Sequence, residues 1–367
     1  MGDSFGLENV LWFANNKGDA YEEPTIKRSR SHNYVSKEVI NVRENVGVIE
    51  VANFSKHEFK GPDARKFLDF IMAGRLPKPG RISLSPMLSY RGKLYGDLTV
   101  TCLDENEFIV FGSGAAQEMH RRWFESHLGK FNVNYKNRSD EFHGLSIAGP
   151  NSRKVLEKIV REDISNEKFK FRDSRRMFVG GVPAIVNRIS FTGELGYEIY
   201  VAPHYQIKLY EELIQAGEEF NIKPFGGRAL MSMRLEKNWG AWTLDYRPDF
   251  TAKETGLDTF INWNKEFIGK ENAKKDNSTN KIVPLIVETN EIDVTNNEAV
   301  VNGTDSIGYV TSGGFAHYVN KSVAFTFLDQ NKINYDNKIQ IEINGDLFNC
   351  SLIKDSLYDP TGQKMRS

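Results

Sequence analysis

The stretch RISFTGELGYEIYV, residues 188–201, joins a glycine turn to an apolar strand. Thr192-Gly193-Glu194 has the composition of a turn, and the aromatic and β-branched residues after it predict a strand over 196–201. Glu198 lies inside that strand. A carboxylate can accept two parallel hydrogen bonds from an amidine-like edge, as found on a pterin or guanine ring. On position alone, a solvated strand residue explains Glu198 at least as well.

Strands and helices alternate on both sides of this stretch. Apolar residues at helical spacing predict helices, and short β-branched runs between turns predict strands. The predicted helices cover residues 37–45, 63–73, 115–128, 152–160 and 205–220. The predicted strands cover residues 46–51, 82–88, 94–103, 107–111, 145–148 and 182–190. This pattern indicates an α+β fold with antiparallel hairpins.

A second carboxylate, Asp97, interrupts the strand predicted over 94–103. Charged residues are disfavoured in strands, and Gly96 beside it lets a ligand or another backbone come close. These features make Asp97 a candidate for chemistry. Alternation along the strand also allows it to be a solvated residue on an outer face.

Two arginines occupy the helix predicted over 227–237. Arg228 and Arg234 are six residues apart, so they do not share a face closely. One of them is a candidate for binding an anion. The other is expected to pair with Glu236 or another neighbour.

The C-terminal part changes character after a polar run at residues 274–281, which indicates a linker. Short strands separated by turns then predict a small β-barrel. We therefore divide the chain into an N-terminal arm (1–35), a domain of two α+β subdomains (36–275) and a barrel domain (282–367). The arm carries several apolar side chains, namely Phe5, Leu7, Leu11, Trp12 and Phe13.

Composition narrows the function classes. The chain has 48 basic and 49 acidic residues, so it lacks the charge of a nucleic-acid binder. No apolar run is long enough to span a bilayer, and the start lacks a signal peptide, so a cytoplasmic or organelle-matrix protein is expected. Cys102 and Cys350 are too few for a disulfide framework, and His120 and His127 lack a partner motif, so no metal is expected.

Six motifs in series resemble the aminomethyltransferase family of the glycine-cleavage T-protein. They are GKLYGDLTV (92–100), LSIAGP (145–150), RISFTGELGYEIYV (188–201), PFGGRALMSMRLEK (224–237), FIGKE (267–271) and GYVTSGG (308–314). Three further stretches, at 74–81, 85–88 and 245–251, resemble most the C-terminal folate domain of dimethylglycine and sarcosine dehydrogenase-like flavoproteins. The resemblance implies a ring of three subdomains around a folate pocket, the last of them a barrel from about residue 282.

The resemblance also assigns roles by position. Asp97 matches the family's catalytic aspartate, Glu198 the acid that holds the pterin ring, and Arg228 the arginine near the folate. Phe191 and Tyr197 complete the predicted cofactor-binding set. Phe191 stands where the family has a tyrosine, and a second family tyrosine is also missing, so the expected pocket lacks two hydroxyls.

The implied activity is tetrahydrofolate-dependent one-carbon transfer. The one-carbon unit would come from an N-methyl amine of the dimethylglycine or sarcosine type, or from its iminium, and would give methylene-tetrahydrofolate. Three alternatives stay open. They are a glycine-cleavage aminomethyltransferase, a methyltransferase like dimethylsulfoniopropionate demethylase, and a folate-binding module without turnover.

Residues 4–14, SFGLENVLWFA, resemble the junction between the flavin and folate domains of those flavoproteins. This chain has no flavin half, which implies a separate flavin-dependent oxidase subunit as partner. The apolar residues of the arm would face that partner or fold back onto the chain's own barrel. The sequence does not choose between these two arrangements.

Overall fold

The structure is a computed structural model that describes residues 1–4, 7–334, 336 and 338–367, with the backbone alone at residues 3, 4 and 7. Phe5 and the Leu7 side chain, both predicted to dock the arm, lie outside the described residues.

The strands are β1 Gly2–Ser4, β2 Leu7–Asn9, β3 Val46–Glu50, β4 Ser55–Lys60, β5 Arg81–Leu88, β6 Leu94–Asp104, β7 Glu107–Gly112, β8 Asn134–Asn137, β9 His143–Ala148, β10 Ser174–Val179, β11 Val182–Asn187, β12 Gly196–Val201, β13 Ile222–Pro224, β14 Asn280–Val287, β15 Ala299–Asn302, β16 Asp305–Ala316, β17 Lys321–Asp329, β18 Ile339–Ile343 and β19 Asp346–Leu352. The α-helices are α1 Ser31–Glu44, α2 Ala64–Ile71, α3 Gln117–Leu128, α4 Ser152–Glu157, α5 Gln206–Gly217, α6 Gly227–Glu236, α7 Ala252–Thr255, α8 Lys270–Lys274 and α9 Gln363–Arg366. Short 3-10 turns lie at Lys17–Asp19, Gly114–Ala116, Pro203–Tyr205, Glu218–Phe220, Leu257–Phe260 and Gln330–Lys332.

The first sheet has six strands in the order β10-β11-β12-β9-β3-β13. Its pairs are antiparallel except for β13 with β3. Strand alternation sends Tyr197, Ile199 and Val201 of β12 into the core that α4 and α5 cover. Glu198 and Tyr200 therefore point to the opposite face of the sheet.

The second sheet is antiparallel, with five strands in the order β5-β6-β7-β4-β8. One face packs on α2 and α3 through residues such as Leu98, Val100 and Phe124. The same alternation along β6 places Asp97, with the threonines at 99 and 101, on the other face.

The two remaining faces pack against each other. The ring of Phe111 on β7 packs against Tyr200 of β12, with ring centroids 4.6 Å apart, and Ile109, Ile185 and Val51 join the same apolar cluster. The two sheets thus meet along an interface that also contains Asp97 and Glu198.

The last six strands form a closed barrel in the order β14-β17-β16-β15-β18-β19. The barrel contacts the first unit through α6, whose Leu235 packs on Val323 and Phe325. The predicted α+β fold with a C-terminal barrel is confirmed. Within the described ranges, no helix has the length and apolar character needed to cross a bilayer.

The N-terminal arm folds back onto the chain. Trp12 is 6% exposed and packs against α1 and α6 beside Val35 and Ala229. Arg28 reaches the barrel unit, where it pairs with Asp293 at 3.0 Å. This packing also explains why α1 begins at Ser31, six residues before the helix predicted from the local pattern.

Arg43 on α1 is a buried cation that joins distant segments. It donates to Glu194 at 2.9 Å, to the Thr192 carbonyl at 2.7 Å, and to Glu236 at 3.1 and 2.6 Å. The Tyr358 ring from the C-terminal segment lies 3.8 Å from the guanidinium carbon. The guanidinium of Arg43 therefore contacts three segments: the turn before β12, the end of α6 and the C-terminal segment.

We expect Arg43→Met to destabilise the chain by about 3–5 kcal/mol, because Glu194 and Glu236 would stay buried without their cation. Urea unfolding measures the loss. The control is Arg121→Met on α3, whose pairs with Glu118 and Glu125 lie at the surface and should matter far less. Equal unfolding midpoints for the two variants would contradict the role given to Arg43.

Candidate active site

Glu198 lies in the middle of the first sheet and is 8% exposed. Its cross-strand neighbours are Asn187 on β11 and Ser146 on β9. Its Oε2 accepts a hydrogen bond from the Tyr200 hydroxyl at 2.8 Å, and Oε1 has no hydrogen-bond partner among the described residues. Glu198 is thus a buried acid with one oxygen left for a ligand, and not a solvated strand residue.

The protonation of Glu198 is finely balanced. Burial raises the pKa of this carboxyl to about 7, against the opposing effects of the Tyr200 hydrogen bond and the Lys56 charge. A bound group that donates N–H hydrogen bonds would favour the ionised form. Near neutral pH, a ligand with N–H donors would therefore bind ionised Glu198 and stabilise that form.

Asp97 lines the same interface from β6, opposite Pro86 on β5. Its side chain keeps part of its surface accessible, yet the surrounding protein desolvates it enough to raise its pKa to about 7. A carboxyl with a pKa near neutrality is suited to accept a proton and release it again.

Gly96, next to Asp97, is required by a histidine and not by a ligand. A Cβ at position 96 would lie 2.9 Å from Nε2 of His120, and this nitrogen donates to the Tyr95 carbonyl at 2.9 Å. The buried imidazole thus supports the strand behind Asp97. This corrects our expectation that a ligand or another backbone approaches Gly96.

Asn187 is a member of the site that sequence reasoning missed. It is fully buried, and its Nδ2 lies 3.4 Å from the Thr101 hydroxyl of the facing sheet. Its Oδ1 is buried without a hydrogen-bond partner, so an unpaired acceptor lies beside Glu198. Only the register of β11 with β12 reveals this neighbour.

The two carboxylates are at different ends of the interface. Asp97 is four residues along β6 from Thr101, which corresponds to about 13 Å in an extended strand, and Thr101 contacts Asn187 beside Glu198. A single elongated ligand could therefore contact both acids.

The loop after α6 closes the site near Asp97. Burial and the negative charge of Asp97 both raise the pKa of Tyr246, which places this phenol close to Asp97. The Tyr246 hydroxyl accepts from the Gly240 amide at 3.2 Å, and Trp242 reaches the His120 ring, with ring centroids 6.0 Å apart. Neither aromatic residue was singled out from the sequence.

A buried ion pair anchors this loop to the barrel. Asp245 accepts from Arg234 at 2.8 Å and from the hydroxyls of Thr311 and Ser312 at 2.6 and 2.7 Å. Arg234 is therefore the structural member of the arginine pair in α6, with Asp245 as its partner. Glu236 pairs with Arg43 instead.

The other predicted binding residues lie in different surroundings. Phe191, just before the glycine turn, stacks on Trp239 with ring centroids 5.8 Å apart. Tyr197 is fully buried on the core side of β12, stacked on Phe169. Because adjacent strand residues point to opposite faces, the structure does not bring Tyr197 together with Glu198.

Arg228 is engaged by the N-terminal arm. It forms an ion pair with Glu22, donates to the Ser31 hydroxyl at 2.7 Å, and lies 4.9 Å from the ring centre of Trp12. None of these contacts involves Asp97 or Glu198. A role for Arg228 beside a folate stays a prediction, and it would require Glu22 to release the guanidinium.

No cluster of three or more His, Cys, Asp or Glu side chains that could hold a metal occurs in the part of the chain that the structure describes. A surface cleft of about 580 Å³ lies beside α2, where basic residues such as Arg65 and Arg75 alternate with acidic ones such as Asp69. It contains neither candidate carboxylate. The chemistry is therefore best sought at the interface of the two sheets.

Two family models cover nearly the whole chain. The GCVT N-terminal domain matches residues 1–265, and the glycine cleavage T-protein C-terminal barrel domain matches residues 280–359. The chain belongs to the glycine cleavage T-protein family. The resemblance found in the motifs is thereby confirmed.

Individual relatives agree with this assignment. Mitochondrial dimethylglycine dehydrogenase of Mus musculus is 34% identical over 97% of this chain, and the aminomethyltransferase of Thermoanaerobacter pseudethanolicus is 28% identical over 88% of it. The crystal structure of the aminomethyltransferase from Bartonella henselae matches 96% of this chain with a TM-score of 0.80 at 20% identity, which supports the fold. The chain spans 42% of the mouse dehydrogenase and 89% of the Thermoanaerobacter protein.

Proposed function

We propose that this chain is a tetrahydrofolate-dependent one-carbon transferase. The one-carbon unit comes from an N-methyl amine of the dimethylglycine or sarcosine type, after a flavin-dependent oxidase has removed two electrons from the amine and produced its iminium. This chain moves the iminium carbon to tetrahydrofolate, which yields methylene-tetrahydrofolate and releases the demethylated amine. The observation that carries this proposal is the pair of desolvated carboxylates, Asp97 and Glu198, on facing sheets of a T-protein fold. The 34% identity to a dimethylglycine dehydrogenase supports the class of donor.

The residues beside Glu198 suit the pterin ring of tetrahydrofolate. The free Oε1 of Glu198 and the unpartnered Oδ1 of Asn187 are two acceptors on neighbouring strands. A pterin edge carries the N–H donors that these acceptors lack. Hydrogen bonds from the pterin to both oxygens would satisfy Asn187 and stabilise ionised Glu198.

Asp97 then serves the proton transfer. Tetrahydrofolate, when bound, supplies the nitrogen that receives the carbon. The Asp97 carboxylate accepts or orients the proton that this nitrogen must lose, and its near-neutral pKa lets it pass the proton on.

Aminomethyl transfer from the glycine-cleavage system is the second candidate. Its basis is the match that spans 89% of a bacterial aminomethyltransferase at 28% identity, but the higher identity, to dimethylglycine dehydrogenase, supports the first candidate. The two candidates are separated by measuring methylene-tetrahydrofolate formation with each donor: an aminomethylated carrier protein, or sarcosine together with a flavin oxidase.

A separate flavin-dependent oxidase is the partner that the proposed donor requires. It would oxidise the N-methyl amine to the iminium. Leu11 and Trp12 pack on the chain's own helices, so they do not form the contact surface for that partner. Phe13 is 40% exposed and could contact it. We place both proteins in the cytoplasm or an organelle matrix, which cell fractionation would test.

Glu198→Gln should weaken tetrahydrofolate binding, because the amide cannot accept charge-assisted hydrogen bonds from the pterin. The expected loss is about 1.5–3 kcal/mol, or roughly ten- to a hundredfold in Kd. Anaerobic calorimetric titration measures it, with Glu342→Gln, an exposed side chain on β18, as control. An unchanged Kd for Glu198→Gln would remove this residue from the site.

Asp97→Asn should leave tetrahydrofolate affinity nearly unchanged and slow transfer by on the order of a hundredfold or more, since the amide cannot accept a proton. Single-turnover formation of methylene-tetrahydrofolate measures the rate, which in the parent should fall as the pH drops through about 7.

The fold should tolerate this change. Because burial raises the pKa of Asp97, the folded chain holds the proton more tightly than the unfolded chain, and the charged form costs stability as the pH rises towards about 7. The asparagine variant should therefore be at least as stable above neutrality. Asp346→Asn, at the exposed start of β19, is the control. Full turnover by Asp97→Asn would refute the role.

A further inference from the structure

We propose that Tyr200 is a positioning residue of the folate site, whose hydroxyl holds one oxygen of Glu198 and favours the ionised carboxylate, so that Oε1 alone faces the pterin. This inference rests on the proposed function. It assigns a role to a side chain that does not itself touch the ligand.

The hydrogen bond follows from the strand geometry. Tyr200 is two residues after Glu198 and so lies on the same face of β12. Its Oη donates to Glu198 Oε2 at 2.8 Å, and both side chains are buried. With Oε2 engaged, the carboxylate cannot rotate freely, and the acceptor left for a ligand is held in one direction.

Packing of the ring fixes the position of Tyr200 independently of its hydroxyl. Phe111 of the facing sheet packs against the ring in a tilted arrangement, with ring centroids 4.6 Å apart and planes 32° apart. On the neighbouring strand, a Cβ at Gly144 would lie 2.7 Å from Cε1 of the ring. Glycine at 144 thus makes room for the ring, and a phenylalanine at position 200 would fill the same space.

A buried lysine completes the electrostatic surroundings of Glu198. Lys56 on β4 places Nζ 6.0 Å from the Tyr200 ring centre and donates to the carbonyls of Ala52 and Phe54 at 2.5 and 2.7 Å. Burial lowers the pKa of Lys56 to about 8, while the charges of three acids, Glu50, Asp140 and Glu198, oppose this shift. Lys56 therefore supports ionised Glu198 but weakens in that role as the pH rises.

The pH dependence has a definite sign. Burial raises the pKa of Glu198, and the Tyr200 hydrogen bond and the Lys56 charge oppose that increase. Loss of the hydroxyl would raise the pKa of Glu198 further. More of the acid would then be protonated at neutral pH, and tetrahydrofolate would lose its charged acceptor at a higher pH than in the parent.

The experiment measures the Kd of tetrahydrofolate anaerobically across pH for the parent, Tyr200→Phe and the control Tyr210→Phe, whose side chain is exposed on α5. An increase of about one in the pKa of Glu198 predicts a Kd difference of about tenfold near pH 6 that vanishes near pH 9. Tyr210→Phe should follow the parent throughout. A Tyr200→Phe profile that is weakened equally at every pH, or unchanged, would overturn the proposal.

A second measurement needs no ligand. The difference between the infrared titrations of the parent and of Glu198→Gln isolates the carboxyl band of Glu198. When the same pair is compared in the Tyr200→Phe background, the titration midpoint of this band should move to higher pH. An unmoved midpoint contradicts the role of Tyr200. If the parent fails to bind tetrahydrofolate while the midpoint moves, the proposed function fails and the control of Glu198 by Tyr200 stands.

Discussion

The buried guanidinium of Arg43 holds together the segments on which the site depends. It binds Glu194 in the turn that leads into β12 and Glu236 at the end of α6, and it supports the C-terminal segment through Tyr358. Two buried carboxylates would be costly without it. The turn leads directly into β12, whose pairing with β11 and β9 sets Glu198 beside Asn187 and Ser146. Arg43 therefore holds the start of the strand that carries Glu198.

The second constraint is the meeting of two sheets along faces that are not wholly apolar. Phe111, Tyr200 and Ile185 provide the packing, whereas Asp97, Glu198 and Asn187 are polar groups that packing alone would disfavour. Burial raises the pKa of both acids to about 7. Burying ionisable carboxyls destabilises the fold. Buried acids with shifted pKa values, placed on strands beside an unpaired acceptor, are typical of a site that binds and transforms a polar ligand.

The motifs and the alternation pattern predicted much of this arrangement. Strand context made Glu198 and Asp97 candidates only, and the family resemblance assigned their roles. Alternation already separates Glu198 from Tyr197, although both were assigned to the pocket. Asn187 could not be found, because the pairing of β11 with β12 is a long-range fact. The same holds for Arg228, whose partner Glu22 is 206 residues away in sequence, and for the early start of α1, which depends on packing against the arm.

The most direct test of the account is a crystal structure of this chain with tetrahydrofolate. We expect the ligand between the two sheets, with the N–H edge of its pterin on Glu198 Oε1 and Asn187 Oδ1 and its reactive nitrogen turned towards Asp97. A ligand bound elsewhere, such as in the cleft beside α2, or a pterin that touches neither acid, would contradict it.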